Sequence, residues 1–328
     1  MPDLQTLPSA SDSEHPVRAG FFGRRYLAYN DWVRQAHGGR MQKISLDADM
    51  TCPNRDGTKG LGGCTFCNNL GFTPGYLQGM DDLTRQIDTG LEFVKRRYPG
   101  TRKFLAYFQT YSNTYAGLPK LRELYGRVLS HPEIHGIVVG TRPDCLSDDA
   151  LDYLAALSQQ HIVELEIGIE SCDEDVLRLC NRGHGFAETA DALERAARRG
   201  LFVTGHLLLG LPGETRETVI AGAGKLAQLP ISALKFHQLQ VVKGTQLANQ
   251  WRADPASVPL LDIDTYLQWV VDTLERLPPD VRIQRLGSEV PERLRLSAGW
   301  NKRIGELPTL LDAALAARDT WQGRLFQR

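Results

Sequence analysis

The sequence predicts an α/β fold, a partial (β/α)6 TIM-like barrel with an N-terminal extension and a C-terminal α-rich extension. Three observations carry this expectation. Short apolar runs alternate with amphipathic stretches of helical spacing along most of the 328 residues. The apolar runs are near-continuous, as in parallel strands covered on both faces. Polar residues collect where those runs end, the side of a barrel that carries chemistry.

The elements follow in order. Residues 1–20, "MPDLQTLPSASDSEHPVRAG", are polar and Pro/Ser-rich and read as a loose tail without the apolar segment of a signal peptide. "KISLDA" (43–48) is the first strand, and a Gly-rich loop follows it. "LTRQIDTGLEFVKRRY" (83–98) is a helix with Leu83, Ile87, Leu91 and Val94 on one face. "KFLAYFQ" (103–109) and "IHGIVVGT" (134–141) are strands, separated by a helix over 118–130. Ser147 is placed to cap a helix over 147–159, with acidic residues in its first turn. Strands at 162–170, 202–210 and 233–242 complete a set of six, with helices at 186–199 and 214–228 between them. The domain reading is a tail over 1–20, a core over 21–275 and an extension over 276–328.

Composition narrows the class. Hydrophobic content of 42% and charged content of 23% are those of an ordinary globular protein. No apolar run reaches the roughly 18 residues of a membrane span, so the expectation is a cytoplasmic protein without a membrane partner. There thiols stay reduced, and clustered cysteines are more often metal ligands than disulfides. A net charge of −1 excludes nucleic-acid binding through bulk positive charge and leaves only a local patch for it.

Half of the six cysteines lie in "TCPNRDGTKGLGGCTFCNN" (51–69), where eleven residues separate Cys52 from Cys64 and two separate Cys64 from Cys67. A structural zinc site wants four nitrogen or sulfur ligands, and this loop supplies three. Three thiolates suit a cubane iron–sulfur cluster with one iron left open. Cys145, Cys172 and Cys180 lack such spacing and read as buried thiols.

With its aromatic Phe66 before the last cysteine, this loop resembles the radical S-adenosylmethionine (SAM) superfamily, in the longer-spaced form of one subgroup. "CPNRDGTKGLGGCTFC", "YFQTYSNTYA", "GTRPDCLSDDAL", "ELEIGIES", "NRGHGF", "GHLLLGLPGET" and "KFHQLQVVKGTQL" together resemble the YhcC/YtqA-type proteins. These are relatives of the elongator catalytic-subunit radical SAM domain, and the likeness runs from about Tyr26 to about residue 275. One departure stands out: Glu170 occupies the place of the family's Gln.

The resemblance implies that Cys52, Cys64 and Cys67 hold a [4Fe–4S] cluster. SAM would bind its open iron, be cleaved by one electron to a 5′-deoxyadenosyl radical, and so activate an inert C–H bond. It places the SAM amino group near Gln109 and Thr110, the ribose and carboxylate near Glu166, Glu170 and Ser171, and the adenine against Gly210, Leu211 and Pro212. Arg142, His206, His237 and Lys243 are the candidates for catalytic contacts. Arg142 offers a guanidinium fork for a carboxylate, whereas the two histidines serve equally well as packing groups.

The resemblance also implies an electron donor such as flavodoxin or ferredoxin, and a tRNA substrate modified on its wobble uridine side chain. Residues 281–328 lend Arg293, Arg295, Lys302 and Arg303 near Trp300, a mixture suited to phosphate and base contacts and equally to a solvated helical extension. A radical enzyme acting on a small metabolite and a zinc-stabilised RNA-binding module remain the alternatives.

Overall fold

A computed structural model describes residues 21–71, 73–77 and 79–327; the expected tail over 1–20 lies outside them. Seven strands, β1 (Met41–Leu46), β2 (Lys103–Phe108), β3 (Ile134–Thr141), β4 (Ile162–Glu170), β5 (Phe202–Leu209), β6 (Ala233–Gln238) and β7 (Arg282–Arg285), form one sheet in sequence order. Every neighbouring pair is parallel, and the sheet curls into a half-barrel.

The helices are α1 (Tyr29–His37), α2 (Leu83–Arg97), α3 (Leu118–Leu129), α4 (Asp148–Ser158), α5 (Glu174–Leu179), α6 (Phe186–Arg198), α7 (Arg216–Leu226), α8 (Gln246–Ala253), α9 (Ile263–Arg276) and α10 (Leu307–Ala317). Each expected helix is present. Ser147 caps α4 by accepting from the Ala150 N–H, as its position predicts.

Two expectations are corrected. A seventh strand, β7, lies in the segment read as a helical extension, and it pairs with β6. Its Ile283 N–H also donates to the Leu27 carbonyl at 2.8 Å, so the chain just before α1 continues the sheet. Strand β6 ends at Gln238, not at residue 242.

The inner face of the barrel is polar. Period-two alternation puts Val163, Leu165, Ile167 and Ile169 of β4 into the main core beneath the helices. The intervening Glu164 and Glu166 therefore point into the barrel, with Lys43 of β1, Tyr107 of β2, His206 of β5 and Lys235 of β6. The interior is a charged network rather than an apolar filling. Helix α1 packs against β1 and β7 at the two ends of the sheet, and its Tyr29 hydroxyl donates to Glu164.

Candidate active site

A cavity of about 210 Å³ opens at the C-terminal ends of the strands. Cys52, Cys64 and Cys67 lie on its wall, together with Gln109, Arg142, Glu166, Glu170, His206 and His237. Thr110, Ser171, Gly210, Leu211, Pro212 and Lys243 do not line it.

The cysteine loop is more ordered than its glycines suggest. The Arg55 and Asp56 N–H groups donate to the Cys52 carbonyl, and the Cys67 N–H to that of Cys64. Asn54 Nδ2 donates to the Asn181 carbonyl at 2.5 Å, and Asn181 Nδ2 returns a bond to the Gly63 carbonyl at 2.9 Å. Arg55 Nη2 donates to the Cys67 carbonyl at 2.6 Å. These bonds stitch the loop to the turn that follows α5. Among the described residues no three His, Cys, Asp or Glu side chains close on a single ion; the three thiols are spread over one wall.

Cations surround that wall. Arg182 Nη1 lies 3.5 Å from Cys64 Sγ while Nη2 donates to the Gly168 carbonyl at 2.6 Å. Arg142 forks onto Asp144, Nε and Nη2 each at 2.9 Å, and Asp144 also receives Lys59 from the cysteine loop at 2.7 Å. Burial opposes ionisation of Asp144, but Arg142 and Lys59 outweigh it and hold its carboxyl at about 2. Arg142 Nη1 and Arg182 Nε are buried with no partner. Burial, reinforced by Arg182, pushes His184 down to about 3, so its ring is neutral, with Nε2 buried and unpartnered.

A bulge in β4 turns Glu170 toward this wall. The pairing with β5 slips between Gly168 and Glu170, and Glu170 adopts a left-handed φ of 67°, a conformation costly for a non-glycine residue. Its carboxylate then sits 3.6 Å from Arg182 Nη2. A Cβ on Gly168 would lie 2.7 Å from both Arg182 Nη2 and Glu170 Oε1, so a side chain there would shift this pairing.

On the inner wall of the cavity, Glu166 is fully engaged. It accepts from Lys235 Nζ at 2.6 Å on both oxygens, Lys43 Nζ at 2.8 Å, Tyr107 OH at 2.6 Å and His206 Nε2 at 2.8 Å. Burial disfavours its charge, but Lys235, Lys43 and His206 outweigh that and hold it well below the ordinary carboxylate range. Its oxygens thus serve the interior network.

The residues off the cavity have other partners. Thr110 donates to Asp47 at 3.1 Å. Glu214 binds the Ser171 hydroxyl at 3.2 Å and the Gly210 N–H at 2.7 Å, closing the Gly-Leu-Pro-Gly turn on itself, while Leu211 packs into a satellite core. Lys243 Nζ donates to the Arg293 carbonyl at 2.7 Å on the exposed side. Trp300, read as suited to base contacts or equally to a helical extension, packs its ring on Tyr266 and donates Nε1 to the Leu261 carbonyl at 2.9 Å.

Sequence reasoning missed Arg55, Lys43, Tyr107, Lys235, Arg285 and Ser288. One signal was available: charged residues at i and i+2 within apolar strands, Glu164 with Glu166 and Lys235 with His237, mark a polar inner face.

Half-barrel, cysteine loop and cavity together define a class, and sequence comparison agrees with it. The chain belongs to the radical SAM superfamily, whose profile matches residues 54–222; the Radical_SAM C-terminal domain matches 231–313. It is similar to YtqA of Bacillus subtilis, 33% identical over 305 residues, 93% of this chain and 94% of that one. A tRNA uridine(34) acetyltransferase of Dehalococcoides mccartyi is 29% identical over 167 residues, 50% of this chain and 35% of the other. Among solved structures, archaeal Elp3 of Methanocaldococcus infernus shares the fold, with a TM-score of 0.66 at 17% identity over 86% of this chain and 64% of that one. Among the described residues no helix is long and apolar enough to cross a membrane.

Proposed function

We propose that this radical SAM enzyme acts on tRNA, at the side chain of the wobble uridine. Cys52, Cys64 and Cys67 would hold the [4Fe–4S] cluster. The buried, unpartnered N–H groups of Arg142 and Arg182 support this fit, because a cluster bound by thiolates is anionic and buried donors need an acceptor. Together the cluster and SAM supply one-electron cleavage of a sulfonium and, from it, hydrogen abstraction at an unreactive C–H bond.

This chain's residues bind, orient and exclude water. Arg182 and Asn54 fix Cys64, and Arg55 fixes the backbone at Cys67. Gln109 and Glu170 present polar atoms to the cavity for the amino, carboxylate and ribose groups of SAM. His206 is locked by Glu166, and Leu208 and Leu239 supply apolar wall.

One observation carries tRNA over a small metabolite. A second cavity of about 640 Å³ adjoins the first through Gln238, Leu239, Gln240 and Val290. Arg295, Lys302 and Arg303 line it, interspersed with Glu289, Glu292 and Glu306. A metabolite small enough for the first cavity would leave this second space unused, whereas a nucleotide entering the first trails a chain that needs room. The similarity to a tRNA uridine(34) acetyltransferase supports the same reading.

Nucleoside profiling of total tRNA from cells with and without the protein tests it. The expected result is loss of one wobble uridine derivative and accumulation of its precursor. Identical profiles would discard the tRNA reading in favour of a small metabolite.

A further inference from the structure

Strand β7 ends in Arg285, which lines the cavity. Among the described residues its guanidinium makes no hydrogen bond and no ion pair, and it is an exposed side chain at the cavity mouth. The carboxylate of Glu166 on the same cavity wall is bound by Lys235, Lys43, Tyr107 and His206, and His237 stands beside Arg285. An unpaired guanidinium fork at a cavity mouth can receive an oxyanion.

His237 supplies the second donor. Its Nδ1 pairs with Ser288 Oγ at 3.0 Å, and its Nε2 is buried with no partner. Burial, with His206 and Arg285 nearby, holds the ring neutral. A neutral ring carries one N–H; the Nδ1–Ser288 Oγ pair permits either direction, and in the tautomer with the Ser288 hydroxyl donating, that N–H sits on Nε2.

The geometry is rigid. Gln238 Nε2 and Gln240 Nε2 both donate to the Ser288 carbonyl, at 2.7 and 2.8 Å, and their side-chain oxygens accept from the Ser288 and Val290 N–H groups at 3.1 and 3.3 Å. Two glutamine amides thus act as an extra rung of sheet that fixes Ser288, and through it the imidazole.

We propose that Arg285 and His237 form a subsite for a carboxylate or phosphate of the substrate, on the β6–β7 wall of the cavity. The assignment to substrate rests on reading this cavity as the radical site; the existence of the subsite does not.

Inorganic phosphate and [13C]acetate serve as probes, titrated separately into the full chain purified anaerobically with its cluster, and followed by 31P and 13C line broadening. Both should bind saturably and compete with each other, and the tighter of the two names the substrate group. Because the Arg285 side chain makes no hydrogen bond or ion pair among the described residues, Arg285→Gln should leave the melting temperature unchanged while weakening the probes roughly tenfold, about 1.4 kcal/mol. Arg285→Lys, which keeps the charge and loses the fork, should fall between. Saturating SAM should leave probe binding in place. No saturable binding by the wild type, equal binding by Arg285→Gln, or displacement of the probes by SAM would each overturn the proposal. The readout needs no turnover, so its failure leaves the proposed function standing, and absence of SAM cleavage leaves the subsite standing.

Discussion

Glu214 lies half-buried under the turn that follows β5, and its protonation is legible in stability. Burial raises its carboxyl from the ordinary 4.5 to about 7, against the bonds it accepts from Gly210, Leu211 and Ser171. Between those two pH values the folded chain keeps a proton that the unfolded chain has released. Stability therefore falls as pH rises from about 4.5 to 7, by up to about 3 kcal/mol. Denaturant melts of the wild type at pH 5 and pH 8 should show that fall, and Glu214→Gln should abolish it. Glu166 and Gln109 make a second contrast. Replacing Glu166 by Gln strands two lysines in the barrel interior and should cost about 3–5 kcal/mol in the same melts. Gln109 has no side-chain partner among the described residues, so Gln109→Ala should change stability by less than about 0.5 kcal/mol. It should nevertheless weaken SAM binding in an equilibrium titration; unchanged SAM affinity would remove Gln109 from the cofactor contacts.

At the scale of elements, two glycines predict opposite outcomes. A Cβ on Gly136 of β3 would sit 1.9 Å from the Ile162 carbonyl oxygen and 2.7 Å from its carbon, both backbone atoms of β4. Gly136→Ala must therefore push two central strands apart, and thermal melts should show a loss on the order of 3 kcal/mol or more. Gly126 lies inside α3 with nothing within 4 Å of its added Cβ, so Gly126→Ala should gain about 0.5–1 kcal/mol. The six longer strands were legible because each is an apolar run with its own helix behind it. Strand β7 was not: Ile283 stands between Arg282 and Gln284, and only pairing with β6 and Leu27 makes the segment a strand. The cysteine loop misled in the same way. Its glycines suggest flexibility, while the bonds that order it come from Asn181 and Arg182, more than a hundred residues away in sequence. Of the residues on the cavity wall, the cysteines were legible from their spacing, and Gln109, Arg142 and the histidines from position at strand ends. The turn at Gly210–Pro212 does not line the cavity; Glu214 closes it locally, a contact that no periodicity reveals.

Taken as a whole molecule, the half-barrel sets two unlike walls across one cavity. The β1 side carries three thiols amid Arg55, Arg142 and Arg182; the β6–β7 side carries His237 and Arg285. Cys145, Cys172 and Cys180 are buried free thiols. Burial lifts Cys145 to about 11 and Cys180 to about 12, and raises Cys172 further still. None of the three lines the cavity that carries Cys52, Cys64 and Cys67, so replacing any of them by Ala should leave iron and sulfide content unchanged. The central claim is that Cys52, Cys64 and Cys67 equip this cavity for radical SAM chemistry. Its most direct test incubates the anaerobically purified chain with dithionite and SAM, and quantifies 5′-deoxyadenosine and methionine by chromatography. The wild type and Cys172→Ala should form both products in equal amounts, and Cys64→Ala should form neither. Product formation by Cys64→Ala at the wild-type rate would contradict the account.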